Sequence, residues 1–232
     1  MVTAPHTGAE YVTAITARQS DLRARAAFRE VAMRLVPPGG TVLDFGAGAG
    51  LDARYFAERG LRVLAYDNDS RMCAYLTRYC QDYIARGRIE LEAGSYQDFL
   101  ADGHNGDRPR VDLVAANFAP LNLIADLPTL FARFHARTVP GGVVAASVLN
   151  PYYIGDAKFG WWWRNLPRLW RSGRYTLQGG GGEIIRRNAA DFAAQAAPWF
   201  ILERLCGALP LRRQFMLLAF RRRDEIARAV GS

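Results

Sequence analysis

Apolar and polar positions along the first 150 residues follow two alternating patterns. Short, almost uninterrupted apolar runs recur, such as TVLDF at 41–45, LRVLAYD at 61–67 and RVDLVAANF at 110–118. Between these runs, apolar residues recur every three or four positions, which is the spacing of one helix face. Strands that are apolar on both sides are typical of a parallel sheet with helices on both faces. The pattern therefore predicts an α/β fold with a doubly wound, mostly parallel sheet.

The alternation changes after residue 150. Residues 151–187 are rich in aromatic side chains, arginine and glycine, and a helical segment capped by Asn188 follows them. Two apolar runs, FILERLCGAL and FMLLAFRRR, lie near the end of the chain with only PLRRQ between them. So short a connection can join only antiparallel neighbours. We therefore predict a seven-stranded sheet with a terminal antiparallel hairpin. The chain divides into an N-terminal helical cap (1–37), an α/β core (38–150), an inserted lid (151–187) and a C-terminal helix with strands that complete the core (188–232).

The net charge narrows the classes of partner without choosing one. The chain carries 30 Lys and Arg against 22 Asp and Glu, a formal charge of +8. Such an excess suits a nucleic acid, an anionic substrate or a membrane surface, and it also arises from a genomic bias toward arginine. No apolar run reaches the length of a membrane span, and the first residues lack the pattern of an export signal. Three cysteines without CxxC spacing predict reduced thiols and no metal site, so we expect a cytoplasmic protein.

The sequence TVLDFGAGAG at 41–50 points to a ligand. Gly46, Gly48 and Gly50 directly follow an apolar strand, where missing side chains let a ligand approach the backbone. The dinucleotide fingerprint needs a glycine at position 51, where this chain has Leu51, and a phosphate loop needs GK[ST]. Asp67 closes the second strand, where an acid can accept both ribose hydroxyls of an adenosine. These residues favour an adenosine-containing ligand over a tight turn alone.

Five segments of the core resemble, in order, the motifs of the class I S-adenosylmethionine-dependent methyltransferases, specifically the group that acts on small molecules. They are VLDFGAGAG, YDNDSRM, EAGSYQDF, VDLVAANFAPLN and TVPGGVVAASVLN. The resemblance covers the chain from about Thr41 to Leu149. It implies a Rossmann-like methyltransferase fold and S-adenosylmethionine as the cofactor.

The resemblance also implies a role for each matching position. The glycine loop would pass beneath the methionine and ribose parts of the cofactor, and Asp67 would hold the ribose hydroxyls. Ser95 stands where the family commonly has an acid for the adenine amino group. In similar proteins an N-terminal helix covers the cofactor, which makes Tyr11 and Arg18 candidates for binding its carboxylate. The cofactor-binding residues expected in this way are Tyr11, Arg18, Asp44, Gly46, Ala47, Gly48, Gly50, Asp67, Asn68, Met72, Ser95, Tyr96, Asn117 and Phe118.

The acceptor side is less defined by the sequence. Methyl transfer is an in-line displacement in which alignment supplies much of the rate, and a base is needed only for an acceptor that is protonated. No pattern singles out a histidine or tyrosine as that base, so no catalytic residue is assigned. The substrate-binding residues expected around the pocket are Asn122, Tyr152, Tyr153 and Trp162.

The stretch GWWWRNLPRLWRSGR at 160–174 has the most unusual local composition. We interpret it as a lid whose tryptophans form an aromatic wall for a planar or apolar acceptor. Two alternatives stay open. Tryptophan and arginine together suit a peripheral membrane contact with a lipid-like substrate, and they also suit stacking on RNA.

These observations predict a cytoplasmic S-adenosylmethionine-dependent methyltransferase that acts on O or N of a small, aromatic or apolar acceptor. An RNA or DNA methyltransferase is the first alternative, and a non-catalytic S-adenosylmethionine-binding protein is the second. Enzymes that methylate nucleobase amines use a D/N-P-P-Y/F pattern after the fourth strand. The sequence NFAP at 117–120 departs from that pattern, which argues against a nucleic acid as the acceptor.

Overall fold

Helices and strands alternate through the core of the protein. The structure, a computed structural model, describes residue 13 and residues 18–101, 108–179, 182–206 and 210–224. In chain order the elements are α1 (Gln19–Leu35), β1 (Thr41–Phe45), α2 (Leu51–Glu58), β2 (Arg62–Asp67), α3 (Ser70–Tyr79), α4 (Gln81–Ala85), β3 (Ile89–Ala93), α5 (Tyr96–Ala101), β4 (Val111–Ala116), α6 (Leu127–Arg137), β5 (Thr138–Leu149), α7 (Gly160–Ser172), β6 (Arg174–Gly179), β7 (Gly182–Arg187), α8 (Ala189–Ala196), β8 (Phe200–Cys206) and β9 (Phe215–Arg222). Short 3₁₀ turns lie at Pro120–Leu123, Ile154–Asp156 and Pro210–Arg212.

Seven of these strands form one sheet in the order β3-β2-β1-β4-β5-β9-β8. The pairs from β3 to β5 are parallel, whereas β9 runs antiparallel to both β5 and β8. This arrangement confirms the predicted doubly wound sheet and its terminal antiparallel hairpin. From β1 the chain adds β2 and β3 on one side of the sheet and then β4 and β5 on the other, so the strand order reverses between β1 and β4. Ligands of open parallel sheets bind at the carboxyl ends of the strands near such a point.

Each face of the sheet carries its own layer of apolar packing. Successive side chains of a strand point to opposite faces, so Leu43 and Phe45 of β1 pack on one side and Val42 packs on the other. The first side also buries apolar residues of α5, α6 and α8, and the second buries residues of α1, α2 and α3. Asp44 shares the face of Val42, which brings its carboxyl beneath α1 and α2.

Two segments differ from the sequence-based expectations or extend them. The sequence of residues 70–87 predicts one helix that ends at Gly87, but the structure divides it, because Cys80 leaves helical geometry (φ −107°, ψ 13°) between α3 and α4. The insertion folds as α7 followed by the hairpin of β6 and β7, whose pairing extends to Gly179 and Gly182. Within the described ranges, no helix is long and apolar enough to cross a membrane.

Candidate active site

The glycine loop at the carboxyl end of β1 has a backbone that other residues do not adopt without strain. Gly46, Gly48 and Gly50 have φ angles of +75°, +54° and +81°. A Cβ atom on Gly50 would lie 2.7 Å from Cγ of Leu76 and 3.0 Å from Sγ of Cys80. The third glycine therefore serves close packing of the start of α2 against α3, and a Cβ atom on Gly46 would lie 3.0 Å from Cβ of Pro120.

Asp67 ties the end of β2 to this loop. Its Oδ2 accepts the N–H of Gly48 at 2.7 Å, and its Oδ1 accepts the N–H of Asp69 at 2.9 Å. Burial raises the pKa of the Asp67 carboxyl, and the two backbone N–H donors partly oppose that shift. Because a carboxylate oxygen accepts more than one hydrogen bond, both oxygens retain capacity for ribose hydroxyls. Asp67 is thus able to take the role that the family resemblance implies, and that role stays a prediction.

Asp44, in β1 two residues before the first glycine of the loop, has a buried carboxyl group. It is 2% exposed, and its Oδ2 has no hydrogen-bond partner among the described residues. Desolvation, followed by the nearby charge of Asp52, raises the pKa of Asp44 well above its ordinary value. A buried carboxyl oxygen without a donor is unfavourable, and a ligand ammonium group would relieve it. The amino-acid end of S-adenosylmethionine carries such a group, so the residues present fit this cofactor.

A cluster that the sequence analysis missed joins α1 to the loop. Asp52, 5% exposed at the start of α2, pairs with Arg25 and accepts from Arg29 Nε at 2.6 Å. Asn117 Nδ2 also donates to Asp52, at 2.9 Å. The Arg25 guanidinium lies 4.5 Å from the ring centroid of Phe118. The four-residue spacing of Arg25 and Arg29 can be read from the sequence, but it does not indicate which acid they pair with. A narrow pocket here is lined by Arg25, Gly46, Ala47, Ala49, Leu51, Asp52, Asn117 and Phe118.

The end of β4 is held in an uncommon backbone conformation. Phe118 and Ala119 have φ angles of +60° and +68°, although neither is glycine. The N–H of Phe118 donates to Asn117 Oδ1 and to Ser147 Oγ, both at 2.9 Å, and the Ser147 hydroxyl donates to Asn117 Oδ1 at 2.8 Å. Left-handed non-glycine residues persist where their surroundings fix them, and they cluster at functional sites. Asn117 Oδ1 therefore stabilises this backbone conformation by accepting hydrogen bonds from the Phe118 N–H and the Ser147 hydroxyl.

The residues expected near the adenine form a separate corner. The hydroxyl of Ser95 donates to Asp98 Oδ2 at 2.7 Å and accepts the Asp98 N–H at 3.1 Å. The acid of this corner is thus Asp98, three residues after the expected position, and it was not among the predicted residues. Burial raises the pKa of Tyr96 to about 12. Asn68, directly after β2, is exposed. Met72, in the first turn of α3, is half-buried.

A larger cleft, with a volume of about 420 Å³, lies beside the narrow pocket lined by Arg25 and Phe118, which is called the cofactor pocket below. Phe215 connects the two, because it lines the cleft and its ring centroid lies 5.3 Å from that of Phe118. Tyr153, expected to bind substrate, also lines it. The complete lining is Ser20, Arg23, Ala24, Ala27, Tyr153, Arg212, Arg213, Gln214, Phe215 and Leu217.

Two other residues expected to bind substrate have structural roles. Asn122 has no exposed surface; it donates to the carbonyl of Ile185 at 2.7 Å and accepts the N–H of Leu149 at 2.9 Å. Trp162 is 6% exposed, and its indole N–H donates to the carbonyl of Pro151 at 3.1 Å. Their polar atoms are engaged in joining the insertion to the core. Neither side chain is available to an acceptor, which corrects the expectation.

The remaining predicted residues are placed as follows. Tyr152 is half-buried and its N–H donates to Asn150 Oδ1 at 3.0 Å, but it does not line the cleft. Arg18 is exposed immediately before α1, and Tyr11 lies outside the described residues. None of the described residues that line the cleft is a tryptophan, so the expected aromatic wall is not found among them. Over the described part of the chain, no group of three or more His, Cys, Asp or Glu could hold a metal ion.

Comparison with known proteins identifies the core. Residues 42–142 match the methyltransferase domain family. The ribosomal protein L11 methyltransferase of Pelotomaculum thermopropionicum is 35% identical over 116 residues, which cover 49% of this chain and 34% of that protein. The ribosomal RNA small subunit methyltransferase A of Caulobacter vibrioides is 32% identical over 93 residues, or 40% of this chain and 31% of that protein. The chain therefore matches about a third of the length of each of these relatives.

A solved structure extends the comparison over nearly the whole chain. The 1,6-didemethyltoxoflavin-N1-methyltransferase of Burkholderia thailandensis was crystallised with 1,6-didemethyltoxoflavin and S-adenosylhomocysteine. It aligns with a TM-score of 0.63 at 19% identity and covers 97% of this chain and 92% of that one. This likeness shows a shared fold. The three named proteins act on a ribosomal protein, a ribosomal RNA and a small molecule, so their names agree on the reaction and differ in the acceptor.

Proposed function

We propose that this chain is a class I S-adenosylmethionine-dependent methyltransferase that transfers a methyl group to O or N of a small acceptor with an apolar or aromatic body. The match of residues 42–142 to the methyltransferase domain family supports this reaction. The observation that carries the proposal is the arrangement at the carboxyl ends of β1 and β2, where the glycine loop follows the buried carboxyl of Asp44 and donates a backbone N–H to Asp67.

The residues of the chain would bind and align the two reactants. S-Adenosylmethionine supplies an activated methyl group on a sulfonium, which an acceptor atom displaces in line. Asp67 would hold the ribose hydroxyls, and Asp44 would accept the ammonium group beneath the loop. Phe118, covered by the guanidinium of Arg25, would exclude water between cofactor and cleft. No side chain is assigned as a base, because positioning supplies most of the rate in such a displacement.

A small acceptor is favoured by the shape of the neighbouring cleft. Its volume of about 420 Å³ falls within the range of roughly 300–1,000 Å³ that is usual for small-molecule sites. A nucleic acid remains the competing acceptor, and its binding would weaken steeply with salt. We place the reaction in the cytoplasm, where the buried thiols of Cys73 and Cys80 would stay reduced.

Calorimetric titration with S-adenosylhomocysteine tests the cofactor site. We expect binding by the intact protein and a loss on the order of 2 kcal/mol or more in Asp67→Ala, because a charged hydrogen-bond acceptor is removed. Asp82→Ala, an exposed acid on α4, is the matched control and should bind normally. Absence of binding by the intact protein would exclude the proposed reaction. Binding without methylation across a broad panel of acceptors would favour the non-catalytic alternative.

We also propose that the outer face of α7 contacts an anionic membrane surface. Trp163 and Trp170, seven residues apart, are 58% and 76% exposed. Arg164, Arg168 and Arg171 of the same helix are also exposed, and residues 157–174 contain no acidic side chain. Exposed tryptophan between basic residues suits the interface of a lipid bilayer. This contact would bring the enzyme to an apolar acceptor dissolved in a membrane.

Sedimentation with lipid vesicles tests this contact. The protein should bind vesicles that contain phosphatidylserine and should bind pure phosphatidylcholine vesicles more weakly. Trp170→Ser should reduce the binding to the anionic vesicles, whereas Gln81→Ser, at an exposed residue of α4, is the control and should leave it unchanged. Equal sedimentation of Trp170→Ser and the intact protein would contradict the proposal. Release of the protein from vesicles by single-stranded RNA, with tight RNA binding, would assign the face to nucleic acid instead.

A further inference from the structure

We infer that the acceptor carries an anionic oxygen group, a carboxylate or a phosphate, on its apolar or planar body. Such an acceptor presupposes the proposed function, because it would occupy the cleft beside the cofactor pocket. The charges and apolar surfaces that line the cleft point to this class of molecule.

Helix α1 presents different faces to the two halves of the site. Arg25 and Arg29, four residues apart, both pair with Asp52, so their guanidinium groups are engaged at the start of α2. Arg23 and Ala27, also four residues apart, lie on a neighbouring helix face and line the cleft. The charge of Arg23 therefore belongs to the cleft and takes no part in anchoring the helix.

Arg212 and Arg213 add two further positive charges from the segment before β9. Both line the same cleft as Arg23, and none of the described residues that line it is Asp or Glu. Among the residues that the structure describes, no acidic side chain forms an ion pair with any of these three arginines. Like charges from two separate elements thus surround one cavity. They would attract an anion, and arginine binds carboxylates and phosphates through paired hydrogen bonds.

The rest of the cleft wall is apolar and leads toward the cofactor pocket. Ala24, Leu217 and Phe215 contribute aliphatic and aromatic surface, and Phe215 contacts Phe118 edge to face. A molecule with its anionic group at the arginines can therefore place its apolar body along Phe215. That orientation directs the end opposite the anion toward Phe118 and the methyl donor. The cleft would then select acceptors by charge at one end and by shape at the other.

Three probes that share a naphthyl body and differ in charge separate the contribution of the charge to binding from that of the apolar body. We would first saturate the protein with S-adenosylhomocysteine, and then titrate 2-naphthoate, 2-naphthamide and 2-naphthyl phosphate by calorimetry. The anions should bind about tenfold more tightly than the neutral amide, as expected for charge-assisted pairs with arginine. The difference should shrink as salt is raised, because exposed arginines are screened. The carboxylate and the phosphate arms show which anion the cleft prefers.

The double variant Arg23→Gln/Arg213→Gln locates the effect. It should reduce the preference for the anions, because only Arg212 of the three arginines remains, while its affinity for 2-naphthamide stays unchanged. The double variant Arg78→Gln/Arg86→Gln, at exposed arginines of α3 and directly after α4, removes the same number of positive charges and should keep the full preference. Equal binding of amide and anions by the intact protein would overturn the inference, as would an undiminished preference in Arg23→Gln/Arg213→Gln.

The outcome for the acceptor class is distinguishable from that for the proposed function. Failure of S-adenosylhomocysteine to bind would contradict the methyltransferase activity at the first step, before any probe is added. Normal cofactor binding with no anion preference would leave that activity in place and contradict only the acceptor class. Folding of each variant is checked by far-ultraviolet circular dichroism. The exposed arginines pack little surface, so we expect native spectra.

Discussion

The cofactor pocket and the acceptor cleft are adjacent but are built in different ways. The cofactor pocket depends on short, buried polar side chains such as Asp67, Asp52 and Asn117, which backbone amides or neighbouring side chains hold in place. The cleft is lined by long, exposed arginines on an apolar floor. The difference indicates a fixed site for an invariant cofactor and an adaptable site for the variable reactant.

Helix α1 belongs to both regions and links them. One face carries Arg25 and Arg29 to Asp52, and another contributes Arg23 and Ala27 to the cleft. A displacement of this helix would therefore change both regions. The cofactor side should be affected more, because its charges are buried and each has a specific partner. Four substitutions or conditions test how far the two regions can be separated.

The largest effect is expected for Asp52→Asn. The variant removes the carboxylate that pairs with Arg25 and Arg29, whose side chains are only 11% and 20% exposed. Breaking a buried ion pair by removing one partner costs about 3–5 kcal/mol. We expect the free energy of unfolding, measured in urea, to fall by about that amount. The affinity for S-adenosylhomocysteine should fall with it, because α1 would no longer be held against the loop.

Glu58→Gln on the same helix is the control for Asp52→Asn. The Glu58 side chain pairs with Arg54, and the two are 40% and 37% exposed. An exposed pair of this kind contributes about 0.5 kcal/mol or less. A similar small change for both variants would show that α1 is not anchored through Asp52, and the contrast between the two regions would lose its basis.

The cofactor half could be predicted from the sequence because its determinants are local. The strand, the glycines and Asp67 follow one another within a short stretch, and each residue type has a stereochemical reason. The cleft could not be predicted, because Arg23, Tyr153 and Arg213 are far apart in the chain. They meet only where β9 enters the sheet between β5 and β8. The sequence PLRRQ predicts a turn, but it does not indicate which residues surround Arg212 and Arg213.

Local patterns also misled where burial decides a residue's role. Asn122 and Trp162 lie in segments that flank the expected pocket, and polar or aromatic residues there favour ligand contact. In the structure both are buried and hydrogen-bonded to backbone carbonyls. Asp52 is the opposite case, a residue of the site that the sequence analysis did not predict. It directly follows the glycine loop, but only the packing of α1 reveals its two arginine partners.

Gly50→Ala sharpens the distinction between a ligand-facing and a packing glycine. Its φ of +81° is unfavourable for alanine, and the new Cβ would lie 2.7 Å from Leu76 Cγ. We expect a loss of about 2–4 kcal/mol in unfolding free energy from backbone strain and overpacking. Gly60→Ala is a matched control, because its φ is +83° but nothing lies within 4 Å of the added Cβ. Equal losses for the two variants would show that packing against α3 is not the constraint.

Asn122→Ala tests whether the insertion can be loosened without changing ligand binding. The variant leaves the N–H of Leu149 and the carbonyl of Ile185 without their partner. We expect the unfolding free energy to fall by about 2 kcal/mol, while the affinity for S-adenosylhomocysteine remains unchanged. Gln178→Ala, which removes an exposed hydrogen bond to Glu183, is the control and should have little effect. A selective loss of probe binding in the cleft would restore Asn122 as a substrate residue.

The smallest expected effect is a pH dependence that originates at Asp44. Desolvation and the neighbouring Asp52 and Asp67 raise the pKa of this carboxyl in the folded protein, and Arg25 and Arg29 oppose the shift. The folded state therefore retains a proton that the unfolded chain releases. The stability contributed by this group is complete below pH 3.8, the ordinary pKa, and is lost as the pH rises through the folded value. Asp44→Asn should flatten this decline in the unfolding free energy.

The same carboxyl should couple cofactor binding to proton release. An ammonium group placed beside Asp44 favours the carboxylate, so S-adenosylhomocysteine should bind more tightly as the pH rises toward neutrality. Titrations in two buffers with different ionisation enthalpies would reveal the released proton as a difference in heat. Asp44→Asn should lose that part of the difference, and any remainder reports on Asp67, whose pKa is also raised. If the variant releases as many protons as the intact protein, Asp44 does not face the ammonium group, and the cofactor pocket is defined by Asp67 and the glycine loop alone.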